Sequence, residues 1–219
     1  MTTFFVCMSP IQSFVERLSL VPDMPAVFNP YQEEHPGGAI RQSNLARYLS
    51  RMATRHPVTI LVGEAPGYRG CRVTGVPFTS EKILLSDSSP FGLFGLAAGF
   101  VPSDEINSPQ AEATASTVWK VFLTLGECPL LWNAFPFHPH RPDDPFSNRT
   151  PRAKETDLGQ QALIELLDLF PIQQVIAVGN VAHQAFLRWG IAAEKIRHPG
   201  HGGQAAFAQQ LARSLRVGR

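Results

Sequence analysis

LVGEAPGYRGCRVTGVPFTSE, residues 61–81, is the stretch that decides the fold. It begins as the end of an apolar strand and breaks at Gly63. It then crosses a turn rich in Pro and Gly and ends in a second turn that presents Phe78. A strand opening into such a loop gathers backbone N–H groups and one aromatic face around a single pocket. In open α/β sheets, pockets lie beyond the carboxyl ends of the strands. Two later strand ends carry polar side chains in the same way: Asn133 in LLWNAFPFHPH and His198 in IRHPGHGG.

Outward from this segment, four short apolar runs read as buried strands: Val58 to Val62, Leu130 to Trp132, Val175 to Val178, and Lys195 to Arg197. Around them, apolar residues recur with helical spacing. The stripes are Leu45, Tyr48, Leu49, Met52; Val118, Val121, Phe122, Leu125; Leu163, Leu166, Leu167, Phe170; Ala182, Ala185, Phe186, Trp189; and Ala208, Leu211, Ala212, Leu215. Ser43 and Asn180 are candidate N-caps, and Gly126 and Gly190 candidate helix stops. Strands alternating with helices imply βαβ units. The expected architecture is a three-layer α/β/α sandwich with a central, mainly parallel sheet of about four strands, in one domain over residues 1–219. Residues 1–40, rich in Pro, are expected to form an irregular flank. Two long loops, 86–111 and 135–151, stand out, since loops of that length are usually functional or disordered.

The chain has 219 residues and 44% hydrophobic content, which suits one sizeable core. A net charge of +1 does not announce a nucleic-acid partner, but the cationic residues are biased, with four Lys and fifteen Arg among nineteen. The three cysteines, Cys7, Cys71 and Cys128, have no C-x-x-C spacing, which argues against a zinc site, a disulfide framework or a four-cysteine iron–sulfur cluster. MTTFFVCM lacks a basic leader pattern, and no apolar run approaches the ~20 residues of a membrane helix. A cytoplasmic protein with no membrane contact is expected.

The order GEAPG, then TGVPF, then N-x-x-P, then HP at a late strand end resembles the uracil-DNA glycosylase superfamily. The resemblance spans roughly Pro57 to Phe207. GEAPG is similar to the branch that carries an iron–sulfur cluster, and GxRxTGxPFT to branches without one, so the combination suggests a divergent member. The resemblance implies a monofunctional DNA glycosylase acting on uracil or a related deaminated base, after that base is flipped out of the stack. It implies DNA containing such a base as partner, a monomer, and no metal or organic cofactor. None of Lys82, Lys120, Lys154 and Lys195 falls in a motif, so no lysine-mediated lyase step is expected.

Carried over by motif, Phe78 stacks on the flipped ring; taken alone it also fits a core position behind the turn. Asn133 offers a donor and an acceptor that match N3–H and O4 of uracil; a turn-capping role is its alternative. His198 donates to the uracil O2 as negative charge grows there; otherwise it is a partly buried strand-end His. Ala65 stands where other branches have Asp or Asn to handle water. Glu64 is the nearest carboxylate, and either orients water and counters the sugar cation or anchors the loop. Gly67 replaces a Tyr that excludes the thymine methyl, and Tyr68 is its neighbour. The catalytic candidates are therefore His198, Asn133 and Glu64, with Gly63, Ala65, Pro66, Gly67, Tyr68 and Phe78 completing the base pocket.

HPGHGG falls where some relatives insert an apolar wedge into the helix, yet here it offers only His201 between Gly200, Gly202 and Gly203. Gly200, His201 and Gly202, with Arg69, Arg72 and Arg149, are the expected DNA contacts; Arg141 and Arg152 lie in the same loops. Three other readings compete. One is a non-catalytic relative that binds damaged DNA, motivated by Ala65. A second is a metal hydrolase using His138, His140, His198, His201 and Glu64, weakened by the absence of a helical H-x-x-x-H pair. A third is a dinucleotide enzyme, set aside because G-x-G-x-x-G is missing.

Overall fold

The computed structural model describes residues 8–103, 105 and 108–217. Its centre is a four-stranded sheet of β2 (Thr59–Gly63), β3 (Leu130–Asn133), β5 (Gln174–Val178) and β6 (Glu194–Ile196). The strand order is β3-β2-β5-β6, and every pairing is parallel. All five residues of β2 are buried, as are all four of β3, which is why both read as continuous apolar runs rather than alternating ones. The step from β2 to β3 goes one way across the sheet and the step from β3 to β5 the other. Right-handed crossovers therefore place α5 (Ala113–Leu125) and α7 (Gln160–Leu169) on opposite faces. The result is the α/β/α layering expected from the sequence.

The helical stripes pack as their spacing demands. Leu45, Tyr48, Leu49 and Met52 are all fully buried on α2 (Gly38–Ala53), and Val118 and Phe122 on α5. Gly126 and Gly190 do end their helices, in left-handed conformations with φ of 70° and 66°. Strand β3 lies at the sheet edge, where the Tyr48 hydroxyl accepts the outward Leu131 N–H at 2.8 Å. A side chain thus does the work of a missing neighbour strand. Among the described residues, no helix is long and apolar enough to cross a membrane.

Three expectations change. The flank is not irregular over its described part: α1 (Pro10–Ser19) opens with Ser9 as N-cap and buries Phe14, Val15 and Leu18. Ser9 and Gln12 exchange hydrogen bonds in a capping box, and Pro10 takes the first helical position, where its missing N–H costs nothing. The Phe14 ring lies 5.5 Å from that of Trp132, on β3, so this helix belongs to the core. Second, Ser43 lies inside α2, which starts five residues earlier behind Gly37 at φ 72°. Similarly, Asn180 is the first residue of α8 (Asn180–Trp189), behind Gly179, rather than its cap. Third, the loop 135–151 contains β4 (His138–Pro139), which pairs antiparallel with β1 (Val27–Phe28) and ties the flank to the loop.

Because Phe14 is a core residue, Phe14→Ala is expected to lower the free energy of unfolding by ~3–5 kcal/mol. Urea denaturation measures this. A change below about 0.5 kcal/mol, the surface value, would show that α1 is only appended.

Candidate active site

Four parallel strands ending level deliver four segments to one place. Residue Glu64 follows β2, Asn133 ends β3, Gly179 follows β5, and His198 follows β6 by two residues. The registers Gly63↔Asn133, Val62↔Ala177 and Val178↔Ile196 keep these ends side by side. Together with Phe78 and the turn Ala65–Pro66–Gly67 they line one cavity of about 550 Å³.

The cavity floor is built around a missing side chain. A Cβ on Gly63 would stand 2.5 Å from Phe78 Cζ and 3.0 Å from Asn133 Oδ1. Glycine here lets the aromatic ring and the amide converge. Phe78 sits in the left-handed region at φ 51°, a conformation that costs a bulky L-residue about 1–2 kcal/mol and is held only where its surroundings impose it. Here the Trp119 indole N–H donates to the Phe78 carbonyl at 2.9 Å. Asn133 is 5% exposed and lines the cavity, and no described protein group hydrogen-bonds its side-chain amide. Buried amides are ordinarily paired, so this one is open to a ligand.

The orientation of His198 follows from the backbone. Gly200 N–H donates to Nδ1 at 3.0 Å, so Nδ1 is the acceptor and the neutral ring carries its proton on Nε2. A Cβ at Gly200 would stand 3.0 Å from Nδ1, which makes glycine the residue that permits this approach. Burial holds the imidazole pKa below its usual value; the Glu112 carboxylate opposes this, and His201 and Arg197 add to it. The resting ring is a neutral donor.

The first loop is pinned from two sides. His138 on β4 is fully buried and hydrogen-bonds the Pro66 carbonyl through Nδ1 at 2.7 Å. Asn148 Oδ1 accepts the Tyr68 N–H at 2.9 Å. The Glu64 carboxyl lies above the ordinary carboxylate range because it is desolvated, an effect the Thr150 hydroxyl partly offsets. Its backbone carbonyl accepts from Phe135 N–H at 3.0 Å, which ties the loop to the end of β3.

Not every candidate residue reaches the cavity. Gly63 backs it without lining it, and Tyr68 is absent from the lining, its ring lying 5.1 Å from the Arg69 guanidinium. Arg72, expected on a DNA face, is 5% exposed: it pairs with Glu105 at 2.7 Å and lies over the Phe28 ring at 4.4 Å. Arg149 lines the cavity but is consumed by a two-pronged bond to Glu155 at 2.7 and 2.8 Å and by the carbonyls of His140 and Ala26. Neither guanidinium is free for a phosphate. Arg141 pairs with Asp144 at the surface, whereas Arg69 and Arg152 are exposed, as are His201 and Gly202 in the last turn. His201 and Gly200 line the cavity rim; Gly202 does not.

Sequence pattern also missed lining residues, among them Glu112, Asn148, Thr150, Asn180 and Arg197. Only Glu112 carried a signal. It is an acidic N-cap ahead of the α5 stripe, and its carboxylate accepts from the N–H groups of Thr114 and Ala115. Among the described residues, no group of His, Cys, Asp and Glu could hold a metal ion. Burial pushes the thiols of Cys71 and Cys128 up to about 12 and about 11, so neither is a nucleophile near neutral pH. Cys7 lies outside the described residues.

Comparison with known proteins adds the family. The model of the uracil DNA glycosylase superfamily matches residues 51–211. A solved structure of wild-type SMUG2 from Pedobacter heparinus is similar in fold, with a TM-score of 0.65 at 11% identity, covering 96% of this chain and 98% of that one. No curated protein matches the sequence.

His138 gives the fold a pH dependence of defined sign. Burial holds its pKa down at about 4, with Arg72 and His140 also opposing protonation, against about 6.5 in an unfolded chain. Below pH 6.5 the unfolded chain takes up a proton that the fold refuses, so stability is intact above 6.5 and lost as pH falls toward 4. Between pH 7 and 4.5 this one residue is expected to contribute a loss of about 2–3 kcal/mol. Urea denaturation at both pH values checks it. His138→Asn, which keeps a donor toward Pro66, should flatten that dependence.

Proposed function

Because the chain belongs to the uracil DNA glycosylase superfamily, we propose that it is a monofunctional DNA glycosylase that hydrolyses the N-glycosidic bond of uracil or another deaminated base in DNA. The observation that carries this reading is the pairing, in one cavity, of an unpartnered buried amide on Asn133 with a neutral His198 whose Nε2–H is free to donate.

In this reading the base leaves the stack and enters the cavity against Phe78. Asn133 matches its hydrogen-bonding edge, and a base with the opposite donor pattern leaves that amide unpaired, which is costly. The bond between C1′ of the sugar and the base breaks, and its electron pair stays on the base. His198 Nε2–H meets the oxygen where that charge collects. Because the ring is neutral, it stabilises the anion as a hydrogen-bond donor without transferring a proton. A water oxygen then bonds to C1′, and the proton it sheds passes to solvent, balancing the charge of the departing base anion. Ala65 supplies no group for that water, so Glu64 and Thr150 on the rim are assigned to hold it. Gly67 leaves its side of the cavity open, since a Cβ there would meet only Asn148 Oδ1 at 3.9 Å. This openness supports a base range wider than uracil.

Labelled oligonucleotides carrying one uracil, hypoxanthine, xanthine or thymine, single-stranded or opposite each partner base, test the proposal. Alkali after incubation reveals abasic sites. His198→Ala and Asn133→Ala are each expected to slow cleavage by ~100-fold or more, the usual cost of one donor aimed at developing charge. Cleavage should persist below pH 6.5, because the donor is the neutral ring. No abasic product from any substrate at high enzyme concentration would leave the non-catalytic DNA-binding relative as the better account.

A further inference from the structure

An aromatic ring stands in solvent on the loop that lines the cavity, and the fold fixes its orientation. Phe146 is 58% exposed. It sits at the tip of a tight turn in which Arg141 bridges Asp144, Asp144 Oδ1 accepts the Phe146 N–H at 3.1 Å, and Ser147 Oγ accepts the Arg141 N–H at 2.9 Å. Beneath the ring lies the Arg72 guanidinium, 4.9 Å from its centroid. That guanidinium also lies 4.4 Å from the Phe28 centroid and is anchored by Glu105. The ring is therefore stacked on a buried cation and fixed by its own turn, while more than half of it stays uncovered.

Its position narrows what can cover it. Asn148, two residues on, lines the cavity, as do Arg149 and Thr150, and Cys71, next to Arg72, lines it from the other chain segment. Two residues span at most ~7 Å between Cα atoms, so the Phe146 backbone lies within that distance of a residue that lines the cavity. The exposed Arg69 and Arg152 lie on the two chain segments that bracket it. Cationic groups around a preoriented aromatic face suit the stacked bases and phosphates of a nucleic-acid strand.

We propose that Phe146 is a stacking platform for a nucleobase adjoining the one that enters the cavity. This rests on the glycosylase reading of the same site. The one apolar residue of HPGHGG is Pro199, which is buried, so this turn exposes no apolar side chain to hold the neighbouring stack once a base has left. Phe146 supplies an apolar face from the loop that carries the cavity-lining Asn148, Arg149 and Thr150.

The test uses an oligonucleotide with a stable abasic-site analogue and 2-aminopurine, a fluorescent adenine analogue, as its neighbour. Wild-type protein is expected to change the 2-aminopurine fluorescence on binding. Phe146→Ala should weaken binding by about 5- to 100-fold, the range for losing one stacked base, and abolish the fluorescence change. Phe146→Trp keeps a π face and should retain both; Phe146→Leu keeps an apolar cover over Arg72 without a π face and should lose both. If Leu binds as tightly as Trp, the ring merely covers Arg72 and the proposal is overturned, even if the Ala variant fails to fold. Uracil cleavage by the wild type separates the two readings. Cleavage with unaffected Phe146 variants overturns the platform alone, and neither cleavage nor binding overturns both.

Discussion

The pocket depends on a contact that no side chain could share. Phe78 and Asn133 both press against the α-carbon of Gly63, and the distances to a hypothetical Cβ leave no room for one. Neither neighbour can retreat easily. The Phe78 backbone is held in a left-handed conformation through its carbonyl, and Asn133 is paired across the sheet to Gly63 itself. The sheet therefore fixes the lateral distance between the amide and the ring, and the glycine fixes how closely they approach. The other groups attach to this unit: Glu64 follows by one peptide bond, and the chain beyond Asn133 continues to hydrogen-bond it through Ala134 and Phe135.

Much of this was legible because the sheet is buried on both sides. Buried parallel strands appear as unbroken apolar runs, and the polar residue that ends each run marks the carboxyl edge, so Glu64 and Asn133 could be located before any coordinates; β6 reads Glu-Lys-Ile with two exposed residues, and His198 is marked by its HP motif instead. What escaped notice was encoded differently. The first helix was hidden by its own start signal, since Pro10 reads as an irregular residue unless Ser9 and Gln12 are recognised as a capping box. The start of α2 lies at a glycine pair, Gly37–Gly38, and carries no side-chain cap. Arg72 looked available because its partner, Glu105, is distant in sequence. The Arg149–Glu155 pair is separated by only six residues, but those residues cross from a loop into α6 (Ala153–Asp157), so no helical spacing advertises it.

Charge in the site follows one rule. Burial shifts Glu64, His138 and His198 toward their neutral forms, and the Arg72 and Arg149 guanidiniums nearby are spent on the protein's own carboxylates and carbonyls. His138 and His198 are both held below their usual pKa by desolvation, and Glu64 is held above its own. The Arg72 and Arg149 guanidiniums brace loops rather than meet solvent. This division suits a cavity for an uncharged ring, with the exposed Arg69 and Arg152 on the neighbouring loops.

The hydrogen bond from Gly200 to His198 also has a consequence for how this site can change over time. The tautomer of the imidazole is set by a main-chain amide, which every residue except proline possesses. The amide must nevertheless belong to a glycine, because a Cβ at position 200 would stand 3.0 Å from Nδ1. A one-residue insertion or deletion between His198 and Gly200 would displace the amide and erase it. The turn is thus rigid in length and also confined in composition, at Gly200 for that reason and at Gly203 because a Cβ there would stand 2.0 Å from the His198 carbonyl oxygen.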